Sequence, residues 1–190
     1  MRKLIAGMKI SADGKMEGPE GYADWVDAWS EDYGLTAQID ACVLGSGMYP
    51  GYEQYWTAIQ NAPDAALPMT GKLPTTAEVA WGRFAARTPH YVLSRSMSVA
   101  NWPLTRFLRD VAELADLKQQ SGKDIYLMGG GRVTASLIDA ALVDELRLIV
   151  YPLFAGEGKT LFTSRQRRGL DLKSVERLPG GKLNLTYAVG

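Results

Sequence analysis

The chain has little with which to build covalent or metal chemistry. Its 190 residues hold one cysteine, Cys42, and one histidine, His90. A disulfide framework and a Cys/His zinc cluster are both excluded, since each needs several such side chains. Net charge is lacking too, because 21 basic side chains balance 21 acidic ones. A nucleic-acid partner is therefore not expected, as phosphate binding rests on a basic surplus or patch. No segment reaches the roughly 18 apolar residues of a membrane span. The apolar run before Lys9 is shorter than a signal peptide requires. A cytoplasmic protein is the expectation.

What the chain does have is a hydrophobic fraction of 46%, enough to fold rather than stay disordered. Its length fits one domain, or two small ones at most, with a sizeable core. Glycine is the one surplus. There are 20 of them, roughly a tenth of the chain against about 7% on average.

Residues 4–10 read as a strand closed by the turn Ser11-Ala12-Asp13-Gly14. Residues 22–34 read as a helix, because Trp25, Trp29 and Tyr33 recur every four positions. Asp24, Asp27 and Glu31 fall on another side of it. Ala41-Cys42-Val43-Leu44 is wholly apolar, as in a strand buried on both faces. It leads through Gly45-Ser46-Gly47 into a helix over 53–60. Residues 61–74, rich in Pro, Ala and Gly, read as a surface loop. Thr75 and Glu78 have capping-box spacing for a helix reaching residue 87.

Residues 91–93 form a further strand, ending in Ser94-Arg95-Ser96. The spacing of Leu104, Phe107, Leu108, Val111, Leu114 and Ala115 predicts a helix over 104–120, closed by Gly122. Next come a strand over 124–128, the triplet Gly129-Gly130-Gly131, a helix over 133–141 and a strand over 145–153. That order implies a right-handed crossover between parallel neighbours. Residues 170–178 and 182–189, joined by Pro179-Gly180-Gly181, alternate as an antiparallel hairpin does. The sum is a mostly parallel sheet with helices on both faces and an antiparallel hairpin at one edge.

The glycines cluster where strands end. Gly129-Gly130-Gly131 precedes a helix, where free N–H groups and the helix dipole favour an anion. With no Cβ in the way, a phosphate can come close to the backbone. A tight strand-to-helix turn is the plainer alternative. The triplet is neither a Walker loop nor a Rossmann fingerprint. Gly45-Ser46-Gly47 stands in the same context, and ligands of open α/β sheets bind outside the carboxyl ends of strands. Ser94-Arg95-Ser96 offers a guanidinium and two hydroxyls, which suit a phosphate monoester, or else a solvated loop. Together the three strand ends point to a phosphorylated cofactor. Cys42 reads as a small buried hydrophobe, His90 as structural or exposed, and the Trp25/Trp29/Tyr33 stripe as core.

In order along the chain, several motifs resemble a known family. They are Ser11-Ala12-Asp13-Gly14-Lys15, Asp24-Trp25, Asp40-Ala41-Cys42-Val43-Leu44-Gly45, Ser94-Arg95-Ser96 and Gly129-Gly130-Gly131. Leu142-Val143-Asp144-Glu145-Leu146 and Tyr151-Pro152-Leu153-Phe154-Ala155-Gly156-Glu157-Gly158-Lys159-Thr160-Leu161-Phe162 complete the series. The set resembles the bacterial deaminase–reductase C-terminal domain family, within the dihydrofolate-reductase-like superfamily. That family is named for the reductase half of a bifunctional riboflavin-biosynthesis enzyme.

The resemblance implies one dihydrofolate-reductase-like domain over residues 1–190. Its fold would be a three-layer α/β/α one, with a mostly parallel mixed sheet and a C-terminal antiparallel hairpin. It implies an NADPH-dependent reductase that delivers a hydride to a pyrimidine or pterin-like substrate, such as 5-amino-6-(5-phosphoribosylamino)uracil. Gly129, Gly130, Gly131 and Arg132, after Met128, would line the cofactor diphosphate, with Gly45, Ser46 and Met48 on its other side. Ser94, Arg95 and Ser96 would hold the adenosine 2′-phosphate. Ala6 and the loop ending at Gly14 would flank the nicotinamide. The proton donor would be water or a carboxylate among Asp24, Asp27 and Glu31.

The family often forms dimers, so a homodimer is expected. Two departures stand out. Ser46 occupies a position where dihydrofolate reductases usually carry Arg, and their substrate-binding acid aligns near Trp29, between Asp27 and Glu31. With one Cys and one His, a zinc deaminase half is absent from the sequence. A dihydrofolate reductase and a catalytically inactive NADPH-binding protein of the same fold stay open as alternatives.

Overall fold

The computed structural model describes residues 1–161 and 167–190. Phe162, the last residue of the final motif, lies outside them. Eight strands form one sheet: β1 (Leu4–Ser11), β2 (Ile39–Gly45), β3 (His90–Leu93), β4 (Thr105–Leu108), β5 (Asp124–Gly129), β6 (Glu145–Tyr151), β7 (Leu170–Arg177) and β8 (Leu183–Val189). Their order is β4-β3-β2-β5-β1-β6-β8-β7. The first six of that order run parallel, and β8 and β7 are antiparallel. The helices are α1 (Tyr49–Asn61), α2 (Thr76–Ala85), α3 (Val111–Gln119) and α4 (Gly131–Asp139).

Side-chain alternation puts a separate core on each face of the sheet. Cys42, Leu44, Tyr126 and Ile149 meet Tyr52 and Trp56 of α1 and Trp81 of α2. Leu4, Ala6, Met8, Val43, Leu127 and Leu146 meet Leu114 of α3 and Leu137 of α4. The architecture is the expected three-layer dihydrofolate-reductase-like one, with the hairpin at the sheet edge. At the opposite end from the strands' carboxyl ends, buried charges close the molecule. Lys118 Nζ donates to the Leu142 carbonyl at 2.5 Å and to Asp144 at 2.6 Å, and Arg2 pairs with Asp40.

Three sequence expectations need correction. Residues 22–34 form turns and bends rather than a helix, because side chains from other elements take up the backbone groups a helix would pair internally. Residues 104–120 divide into strand β4 and helix α3. The break comes at Asp110, whose carboxylate caps α3 by accepting the Glu113 N–H. β5 and β6 are not neighbours, because β1 runs between them and pairs with both. Smaller shifts also appear: α1 starts at Tyr49 and α4 at Gly131, each ahead of the sequence reading. The Thr75–Glu78 capping box is formed. His90 and Cys42 are fully buried.

Candidate active site

The parallel strands end together along one edge. Leu44 of β2 pairs with Gly129 of β5, and Gly45 pairs with Leu93 of β3. The three glycine- or serine-bearing loops are therefore side by side, as α/β ligand sites are. The packing there is close. A Cβ on Gly45 would lie 3.2 Å from Val133 Cγ1 of α4. Gly129 has a φ of +113°, and a Cβ on it would lie 3.1 Å from Met8 Cε and 3.6 Å from Met48 Sδ. Above Gly130 there is open space.

Helix ends separate this edge from the rest of the fold. α2 is capped by Thr75 and α3 by Asp110, each with a glutamate in its first turn. The N-cap residues of α1 and α4 are Met48 and Gly130, and neither helix has a side-chain cap or a first-turn acid. α4 even carries Arg132 in its first turn, where the dipole disfavours a cation. Both uncapped starts follow the adjacent strands β2 and β5. Together they make a corner of uncapped N–H groups, the kind of helix-terminal environment that suits an anion, with Arg132 exposed beside it.

The flanking loop after β3 is held by Arg109, whose Nη1 donates to the Ser94 and Met97 carbonyls at 3.0 and 2.7 Å. The Ser94 hydroxyl accepts the Met97 N–H at 3.0 Å, while Arg95 and Ser96 are exposed. The loop after β1 is latched from the other side. Asp13 accepts the Ser11 hydroxyl and the N–H groups of Ala155 and Gly156. These bonds, that of Ser11 first, hold its carboxyl down to about 2. Gly14 closes that turn, and its carbonyl accepts the Leu161 N–H. Ala6 is fully buried mid-strand, in the core shared with α4. Met128 is buried on the opposite face, with α1 and α2.

The three candidate carboxylates are not brought together. Asp24 is exposed. Asp27, also exposed, accepts from Lys182 Nζ at 3.2 Å and lies close enough to the Tyr151 hydroxyl at the end of β6 for its charge to act on that group. Burial, with the Asp27 and Asp32 charges, raises the Tyr151 hydroxyl to about 12. Glu31 is spent on structure, accepting the N–H groups of Tyr33, Leu35 and Thr36 and the Thr36 hydroxyl.

Sequence reasoning missed two buried charges beside them, Lys9 and Glu78. Lys9 Nζ donates to the carbonyls of Ala28 and Ser30 and to Asp32 at 2.6, 3.2 and 2.6 Å. Glu78 accepts the Trp29 N–H at 2.8 Å and the Tyr55 hydroxyl at 2.5 Å. A lysine inside the apolar run of residues 4–10 was the available signal.

The family model of the RibD C-terminal domain matches residues 2–183. The chain belongs to that family. It is 31% identical over 193 residues to the uncharacterized protein YyaP of Bacillus subtilis, covering 98% of this chain and 94% of YyaP. Among solved structures, a protein of Shewanella sp. PV-4 ascribed to riboflavin biosynthesis superposes with a TM-score of 0.68. It is 18% identical, with 99% of each chain covered. Dihydrofolate reductase of Enterococcus faecalis, solved with NADP(H), gives a TM-score of 0.57 at 18% identity, over 99% of this chain and 96% of the reductase. These two likenesses show the fold. Among the described residues, no helix is long and apolar enough to cross a membrane, and no cluster of His, Cys, Asp or Glu could hold a metal ion.

Proposed function

We propose that this RibD C-terminal domain protein is an NADPH-dependent reductase of the riboflavin-biosynthesis type, working as one domain in the cytoplasm. The substrate is a pyrimidine or pterin-like ring, with 5-amino-6-(5-phosphoribosylamino)uracil as the first candidate. One observation carries the reading: two uncapped helix starts meet at adjacent strand ends, where Gly45 and Gly129 let Val133, Met8 and Met48 pack closely and Gly47 and Gly130 face open space that a diphosphate could enter. The residues present fit the cofactor.

Gly129, Gly130, Gly131 and Arg132 would hold the diphosphate from α4, and Gly45, Ser46 and Met48 from α1. Arg95 and Ser96 are free to take a 2′-phosphate, while Ser94 mainly shapes their turn. Bound NADPH supplies the hydride. The chain's own part is to orient donor and acceptor and to keep water out. The loop ending at Gly14 would flank the nicotinamide end, whereas Ala6 and Met128 are buried on opposite faces of the sheet. Of the three carboxylates, Asp27, paired with Lys182 and near Tyr151, is the candidate to move a proton, since Glu31 is engaged by the backbone of residues 33–36.

The experiment is NADPH oxidation with that aminouracil and, separately, with dihydrofolate. Turnover of the first supports the reading, and turnover of dihydrofolate alone replaces it with folate reduction. Saturable NADPH binding without oxidation supports an inactive binding protein. The exposure of Asp24 and Asp27 favours this second reading.

A homodimer through the C-terminal hairpin belongs to the same proposal. Every residue of β7 is exposed, and a register shift between Leu172 and Ser174 leaves Val175 opposite Leu185 as Leu172 is opposite Tyr187. The shift thus keeps Leu170, Leu172 and Val175 on one face of an open edge strand, a surface suited to a second copy.

A further inference from the structure

Residues 22–34 have helical spacing but no helix, so their backbone polar groups need other partners. Glu31 supplies one from within by accepting the Tyr33 N–H, and others come from three separate elements. Arg147 of β6 donates to the Tyr33 carbonyl at 2.5 Å. Lys9 of β1 and Glu78 of α2 do something more specific. The Ala28 carbonyl that Lys9 holds and the Trp29 N–H that Glu78 accepts belong to the same peptide group.

We infer that Lys9 and Glu78 are positioning residues for the substrate half of the site, gripping the Ala28–Trp29 peptide from both ends and so fixing Asp27 and Trp29. This rests on the reductase reading above.

The placement supports more than a packing role. Lys9 lies opposite Ile149, two residue pairs short of the level where Ser11 meets Tyr151. Asp27 is thereby tied on both sides, by its own carboxylate on Lys182 and by the carbonyl of the next residue, Ala28, on Lys9. Burial pushes the Lys9 ammonium down, and Asp32 only partly restores it. Burial likewise pushes the Glu78 carboxyl up, but bonds from Tyr55, Thr75 and Trp29 outweigh it and hold it low. Both groups are nearly fully buried, with exposures of 8% and 2%. Replacing a whole buried ion pair such as Lys9–Asp32 by apolar side chains is often neutral or stabilising, although removing one partner alone is costly. Stability alone is thus a weak reason for a lysine in this strand, whereas a fixed peptide next to Asp27 is a functional one.

The test compares Lys9→Met and Glu78→Gln with Lys118→Met, which removes a buried lysine at the far end of the sheet. Steady-state kinetics with NADPH and the aminouracil should give a substrate KM raised about tenfold or more in the first two. The KM for NADPH should stay within about twofold, because the diphosphate corner does not touch this segment. Lys118→Met should lower the melting temperature and move neither KM. Hydrogen exchange at the Trp29 amide, measured without ligands, should quicken in Lys9→Met and Glu78→Gln and not in Lys118→Met. Unchanged Trp29 exchange, or equal rises in both KM values, would overturn the inference. An inactive wild-type chain with quickened exchange in the variants would instead overturn the reductase reading and leave the clamp standing.

Discussion

Leu44 and Gly129 are paired across β2 and β5, and this one pairing brings the starts of α1 and α4 to a common corner. It makes Gly130 the most direct place to probe the corner without disturbing the core. Gly130 is the α4 N-cap, its φ is −67°, and no atom lies within 4 Å of where a Cβ would stand.

Gly130→Asp should therefore separate stability from binding. Aspartate is a preferred N-cap and complements the helix dipole, so the variant should be more stable by a few tenths of a kcal/mol. The same carboxylate repels a diphosphate, so NADPH affinity should fall about tenfold or more. Thermal melts and NADPH titration measure the two signs. A variant that is more stable and binds as well as wild type removes the corner from the cofactor site.

The carboxylates make distinct predictions. Asp27→Asn should lower turnover by about a hundredfold if it supplies the proton, and Asp24→Asn should leave it unchanged. Glu31→Gln should act on stability, by about 1–2 kcal/mol, because Glu31 accepts four hydrogen bonds from residues 33–36. Equal kcat in Asp27→Asn and wild type would assign the proton to water.

Acid should destabilise the fold through His90. Burial holds its imidazole down at about 4. The neutral ring is bonded between the Tyr52 hydroxyl at 2.7 Å and the Thr88 carbonyl at 2.7 Å. The unfolded chain takes up the proton near pH 6.5 and the folded chain only near 4. The stabilisation is thus present above 6.5 and lost as pH falls through that window. The loss amounts to roughly 3 kcal/mol by pH 4. Urea unfolding across this range measures it, and His90→Gln should flatten the slope.

The hairpin is tested by sedimentation. Wild type should run as a dimer, and Leu172→Glu as a monomer that still unfolds cooperatively but at a lower temperature at matched protomer concentration. A monomeric wild type would leave β7 as ordinary surface.

The sequence was most legible where structure is local. Apolar runs ending in glycine marked β1, β2 and β5, and Thr75 with Glu78 marked the start of α2. It was least legible at residues 22–34. There Trp25, Trp29 and Tyr33 copy helical spacing, while Lys9, Glu78 and Arg147, distant in sequence, claim the backbone. Leu104 to Leu108 misled in the same way, because their spacing continues into α3. The Asp110 cap was the overlooked punctuation. Nor does any local pattern place β1 between β5 and β6. That order comes from long-range pairing, as does the meeting of the three candidate loops.

The measurement that bears most directly on the account is a tryptophan-fluorescence titration of the wild-type chain and Arg95→Ala with NADPH and NADH. The account predicts saturable binding with a preference for NADPH in wild type. That preference should vanish in Arg95→Ala, with NADH affinity unchanged, because an exposed arginine contributes only through the 2′-phosphate. Wild type that binds neither nucleotide would contradict the account.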